Sequence, residues 1–274
     1  MNKVNRRSLL ASLGAFGGTA ALCGYAGMAA TEPNSPVDEP DDPRNLSKLP
    51  ARDWKYVKLD PAVVAERAYR IYPEGGCMFA VAGSVIGTLA DQVGEPYRSF
   101  PVEMMRFGDG GVGGWGSLCG VINGSSALIG LFHSEKSKET REALITELCA
   151  WYEQTPLPKY APADPQWADE ADPSVAGSIL CHISTARWCE ASAYEAFSME
   201  KKERCRRLAT DGAMKVVELL NRKVDDDACE FAGLAPEVKS CVDCHGKREL
   251  ADAMGKMSCG TCHQFEGKHP DTTR

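Results

Sequence analysis

Apolar residues along this chain recur mainly at helical spacing. From Asp60 onward, Val63, Val64, Ala68 and Ile71 fall on one helical face, and Asp60-Pro61 supplies an N-cap followed by proline at the first helical position. Residues 76–93 read as a second helix of small and apolar residues, expected to be buried on most sides and closed by Gly94. Residues 108–116 are dominated by glycine and form a loop, which leads into a short buried helix near 118–132. Residues 137–152 are amphipathic, with Leu144, Leu148 and Trp151 on one face. A proline-rich connector over 156–165 precedes a second capped start at Asp172-Pro173, and two long helices are expected over about 174–197 and 200–222. Few segments alternate as strands do. The expected fold is therefore mainly α: a helical domain over 56–230, followed by a small, irregular segment over 231–274 where cysteine and histidine take over.

The first residues have a different pattern. Lys3, Arg6 and Arg7 precede an apolar stretch and small residues at Ala26, Gly27, Ala29 and Ala30, with no acidic residue before Thr31. Residues 1–30 are thus expected to be a signal peptide cleaved near Ala29-Ala30, outside the folded protein. The pair Arg6-Arg7 followed by Ser8-Leu9-Leu10 points to the twin-arginine route, with an ordinary secretory signal as the alternative. The apolar stretch is too short and glycine-rich for a membrane span, so no stable insertion is expected after its removal. Residues 31–55 are rich in proline and acid and read as a tether or surface-hugging arm.

Charge narrows the partners. Losing Lys3, Arg6 and Arg7 from 31 basic residues leaves 28 against 38 acidic ones, a formal balance of −10. Nucleic acid, which needs a basic face, is excluded as a partner. The one basic island, Lys201-Lys202-Glu203-Arg204-Cys205-Arg206-Arg207, reads as the solvated face of a helix, with a docking patch for an acidic redox protein as the alternative.

Two copies of C-x-x-C-H stand near the C-terminus: Cys241-Val242-Asp243-Cys244-His245 and Cys259-Gly260-Thr261-Cys262-His263. Two thiols at this spacing add across the two vinyl groups of one haem, and the following imidazole reaches the iron. A single four-cysteine zinc site also fits the paired spacing. A histidine after each pair and an export signal favour two covalently attached haems c, with His245 and His263 as proximal ligands. Of the five histidines, His182, His269 and His133 remain for the distal positions, in that order of preference. His182 lies within an expected helix, where an imidazole without a partner would be an awkward core residue. Met254 and Met257, single methionines between the motifs, read as packing residues.

Seven further cysteines remain in the mature chain: Cys77, Cys119, Cys149, Cys181, Cys189, Cys205 and Cys229. An odd number excludes complete disulfide pairing. Buried structural thiols are one reading, and an iron–sulfur cluster is the other, with Cys77, Cys119, Cys181 and Cys189 as candidate ligands. Cys181 and His182 point about 100° apart on a helix, so one helix is able to serve a cluster and a haem. The twin arginines favour a cluster, because a cofactor inserted in the cytoplasm requires export of a folded protein. Gly108-Asp109-Gly110-Gly111-Val112-Gly113 matches G-x-G-x-x-G but neither follows a clear strand nor opens a helix, so nucleotide binding is set aside.

The region from Gly76-Cys77 through Cys119-Gly120 to Cys181 resembles the C-GCAxxG-C-C group of redox proteins, with Val121 where that group has alanine. Preceded by twin arginines and followed by two C-x-x-C-H motifs, and with the segments LCHIS…RWC and ERCRRLATDGA, the whole resembles the split-Soret cytochromes c. The resemblance covers roughly residues 60–270. It implies a helical homodimer with two bis-histidine haems stacked at one end, one distal ligand coming from the partner subunit, and a non-haem iron–sulfur site in the cysteine domain. The resulting expectation is a periplasmic electron-transfer protein with redox proteins as partners and no catalytic residue. Its rivals are a small-molecule reductase and a redox-sensing subunit of a larger complex.

Overall fold

A computed structural model describes residues 54–133, 138–169, 171–224, 234, 236–246 and 255–261. The expected signal peptide, most of the expected arm, Met254, Cys229, Cys262, His263 and His269 lie outside the described residues. Among those described, the chain is helical and has no strand longer than an isolated bridge. Six helices follow in order: α1 Pro61–Val93, α2 Gly120–Phe132, α3 Lys138–Gln154, α4 Cys181–Ser192, α5 Met199–Val224 and α6 Pro236–His245. Short 3-10 segments occupy Tyr97–Ser99, Val102–Gly108 and Cys259–Thr261. The mainly α expectation holds.

α1 starts as its sequence dictates. Asp60 accepts from the Ala62 amide at 2.8 Å, Pro61 sits in the first turn, and Gly94 ends the helix at φ 88°. The expected division into two helices appears as a break at Gly76, with φ 75° and ψ −163°. Only glycine suits this position: a Cβ there would also lie 2.3 Å from the Asp109 carboxylate.

The core lies between α1, α2 and α5. From α1, Val64 and Ala68 before the break and Cys77, Val81, Val85 and Leu89 after it are buried at four-residue steps. They meet Val121, Ile122, Leu128 and Ile129 of α2 and Leu208, Ala209, Ala213, Val216, Val217 and Leu220 of α5. Small residues permit the close approach. A Cβ at Gly124 would lie 3.0 Å from the Met78 carbonyl oxygen, and one at Gly212 would lie 2.2 Å from Val121. α3 closes the core with Leu144, Leu148 and Tyr152. Burial of this order, about 1.5–3 kcal/mol per large side chain, is the main stabilising contribution of the domain. α1 is the one described helix long and apolar enough to cross a membrane, but 67% of its most apolar window is buried within the protein.

Three expectations are corrected. The helix foreseen over 174–197 is shorter, Cys181–Ser192. Before it the backbone is extended, pairing Ser174 with Leu157 and Leu180 with Leu118, and Gly177 takes a positive φ of 59°. The Asp172-Pro173 start signal is overridden by these cross-chain hydrogen bonds. The basic island is not a solvated face, since Glu203, Arg204, Arg206 and Arg207 are all buried. Arg206 stacks 3.8 Å over Tyr69 and donates to its carbonyl, while Arg207 pairs with Glu203 at 2.8 Å. Finally, the first C-x-x-C-H motif ends a regular helix, α6, where helical character was expected to thin.

The described end of the arm lies against the domain. Trp54 meets Tyr97 and Phe100 edge-on at 5.6 and 5.5 Å. Asn221 of α5 then clasps Leu59 through both its amide and its carbonyl.

Candidate redox sites

The cysteine pocket forms where several elements end together. The break at Gly76 turns Cys77 inward from α1. Cys119 precedes α2, whose first residue, Gly120, leaves room for Cys77: a Cβ there would lie 2.9 Å from the Cys77 Cβ. Cys181 opens α4 and is laid beside Cys119 by the Leu118–Leu180 bridge, with the Cys119 amide donating to Ile179 and the Cys181 amide to Ser117. The glycine loop passes close by, and a Cβ at Gly111 would lie 2.7 Å from the Cys181 Cβ. Glycine pairs on α1 and α2 thus allow two cysteines from distant parts of the chain to share one pocket.

The fourth thiol is Cys205, in the second turn of α5. It was hidden in the basic island, yet a signal was present. Cys205, Leu208, Ala209, Gly212, Val216 and Leu220 form an i, i+3, i+4 stripe that identifies the buried face. Cys77, Cys119, Cys181 and Cys205 feel one another electrostatically. Cys189 stands two turns beyond Cys181, half-buried, and its electrostatic neighbours are Arg204, Lys201 and Cys205. Cys149 lies apart on α3.

Within the pocket, Cys77 and Cys205 share a hydrogen bond. That bond pulls the Cys205 thiol well below its usual range, and Arg204 and Lys201 add to the effect, while Cys77 is pushed up. Burial raises Cys119 and takes Cys181 to about 12. The Tyr72 hydroxyl lies 3.7 Å from the Cys77 sulfur. Arg204, 2% exposed, sends one nitrogen to the Cys205 sulfur at 3.9 Å and another to Ser184 Oγ at 2.7 Å, and Tyr152 also donates to that hydroxyl. Arg204 Nε is buried without a hydrogen-bond partner, and no carboxylate among the described residues pairs with this guanidinium. A buried cation requires a counter-charge. The thiols are the groups that can supply it, so the pocket fits an anionic metal–thiolate group. No three donors among the described residues converge closely enough for a single ion.

The described parts of the two haem-type motifs lie next to each other. α6 carries Cys241, Cys244 and His245 in its last turns, and packs against the 3-10 segment that begins with Cys259. Cys241 and Cys259, the first thiols of the two motifs, are electrostatic neighbours. Lys256 donates to Thr146 Oγ1 of α3 at 3.0 Å. Between α3 and this segment lies a cavity of about 320 Å³, lined by Ile145, Cys149, Ile179, Val238 and Met257 among others.

His182, the first-ranked distal candidate, is exposed on α4. With Gly116 O as the acceptor at 3.4 Å, Nδ1 is the protonated nitrogen, which leaves Nε2 as the donor for a metal. Exposed Trp115 stands on the same loop. His133 is buried at the C-cap of α2, where its amide donates to Ile129 and its carbonyl accepts from Arg141.

The thiol pocket and its glycine-flanked cysteines define a redox domain. Residues 79–219 match the family described as "Putative redox-active protein (C_GCAxxG_C_C)". Over 269 residues, 95% of this chain and 94% of the relative, the sequence is 34% identical to split-Soret cytochrome c of Desulfovibrio desulfuricans. The solved structure of that cytochrome, described as containing a novel iron centre, superposes with a TM-score of 0.73 at 35% identity, covering 77% of this chain and 90% of its own. The chain belongs to the split-Soret cytochrome c family, and its role is cytochrome c electron transfer.

Proposed function

We propose that this protein is a periplasmic electron carrier with two haems c and an iron–sulfur centre, working as a homodimer with redox proteins as partners. Cys241 with Cys244 and Cys259 with Cys262 attach the haems, and His245 and His263 bind the irons from one side. The observation that carries this reading is the packing of α6, which ends in the first motif, against the 3-10 segment that opens the second, which supports two macrocycles held close together. His182 supplies a distal imidazole, oriented by the Gly116 carbonyl, and His269 and His133 are the remaining candidates for the second. Because His182 is exposed beside Trp115, a haem of the partner subunit is an available recipient.

The iron–sulfur centre is assigned to Cys77, Cys119, Cys181 and Cys205. The uncompensated Arg204 supports a negative charge there. Such a centre supplies one-electron chemistry. The protein's own contribution is to exclude water with Tyr72, Tyr152 and the core, and to hold the thiols between α1, α2, α4 and α5. Cys181 and His182, consecutive residues, would connect the two kinds of site through a single peptide unit.

An optical spectrum of the purified holoprotein, oxidised and dithionite-reduced, with total iron assayed on the same sample, tests the proposal. A low-spin spectrum with a divided Soret band and more than two irons per chain is expected. A single Soret band with high-spin features and two irons per chain would overturn it in favour of a reductase with an open haem.

A further inference from the structure

Of the three buried arginines of α5, Arg206 is stacked on the Tyr69 ring, while Arg204 and Arg207, one turn apart, are compensated in opposite ways. Arg207 pairs with the Glu203 carboxylate at 2.8 Å and donates to the carbonyls of Ala168 and Asp169. Arg204 is the more deeply buried of the two. Its donors reach two oxygens of Ser184, both uncharged, and the sulfur of Cys205, while Nε has no partner. Lys201, one turn earlier, is half-buried on the same side, with Cys205, Cys77, Cys181 and Asp109 as its electrostatic neighbours. Holding the Arg204 guanidinium against sulfur rather than carboxylate is costly unless the sulfurs carry charge, because removing a cation from water without a counter-ion costs several kcal/mol.

We infer that Arg204 and Lys201 are positioning residues that set the reduction potential of the iron centre held by Cys77, Cys119, Cys181 and Cys205. This rests on the iron–sulfur reading above and goes beyond it by naming what tunes the site. Four thiolates together with the inorganic sulfides of the centre would bring more negative charge than the irons cancel, and reduction adds one further electron without making or breaking a bond. Two cations within the same low-dielectric pocket stabilise the more negative state most, so they raise the potential and favour the reduced form. Arg204 also directs an N–H at a ligand sulfur, and such hydrogen bonds act in the same sense. Asp109, near Cys77 and Lys201, is the opposing charge on the loop side.

The test is a spectroelectrochemical titration of the complete holoprotein, following the iron centre by electron paramagnetic resonance and the haems optically. Arg204→Gln should lower the ratio of reduced to oxidised centre on the order of tenfold at fixed ambient potential, equivalent to about 59 mV for one electron. Lys201→Gln should move it the same way by less, and Arg204→Lys should restore most of the shift. Arg207→Gln, equally a loss of a buried cation from α5, should leave the potential in place. If Arg204→Gln fails to fold, the Lys201→Gln shift alone decides. An iron centre whose potential is unchanged in both variants overturns the inference and leaves the iron–sulfur reading standing. Wild-type protein holding only haem iron overturns both.

Discussion

The two redox regions of this chain are assembled in opposite ways. The proposed haem segment writes each attachment motif as five consecutive residues, so attachment depends on local spacing. The cysteine pocket draws Cys77, Cys119, Cys181 and Cys205 from four separate elements, with 128 residues between the first and the last in numbering. Nothing local brings them together. The pocket exists because Gly76 breaks α1, Gly120 clears space beside Cys77, and a two-residue bridge lays Cys181 next to Cys119. One site is therefore a property of sequence, and the other a property of packing.

Separate disruption of the two regions should make the contrast visible. The largest effect is expected from Cys241→Ala with Cys244→Ala, which removes both attachment bonds of one haem. Covalent haem per chain, measured as the pyridine haemochrome of denatured protein, should fall by half, while the helical circular dichroism of the cysteine domain stays. A loss of both haems together would show that the two attachments are not independent.

The next effect runs the other way. Glu203 is fully buried, accepts from Arg207 and from the Tyr69 hydroxyl at 2.7 Å, and touches no haem motif. Glu203→Gln leaves Arg207 without its counter-charge and should cost about 3–5 kcal/mol in denaturant unfolding. It should destabilise the cysteine domain while haem attachment proceeds. Undiminished unfolding free energy would mean that the pair is compensated elsewhere.

The smallest effect concerns pH. Asp211 accepts the backbone N–H groups of Lys159 and Tyr160, and burial raises its carboxyl to about 6. An acid whose folded value lies above its unfolded one binds more protons when folded. Its contribution to stability is present in full below about 4 and is lost as pH rises to about 6. The expected loss is at most about 3 kcal/mol across that window. Asp211→Asn should flatten this part of the pH–stability curve without changing the haem spectrum.

Some structure was legible because it depends on near neighbours. The Asp60-Pro61 start, the Gly94 stop and the amphipathic face of α3 follow from backbone and side-chain rules that act within a few residues. The second capped start failed because Ser174 and Leu180 found partners in Leu157 and Leu118, far away in sequence. The basic island was misread for a related reason. Charge density suggests solvent, but Tyr69, Glu203 and Ser184 supply buried partners that no local pattern reveals. Cys205 went unseen with it.

The chain by itself determined that thiols and imidazoles occur in haem-attachment order, that most of its elements are helices, and that cysteines outnumber what the haem motifs use. Those facts rest on covalent spacing and helical period, which are independent of the rest of the fold. Only the tertiary structure decided which of the spare cysteines share a pocket, that a guanidinium without a carboxylate faces them, and that His182 is exposed to solvent. Such features are set by burial and by contacts between distant segments, where the loss of water makes each charge and each missing Cβ decisive.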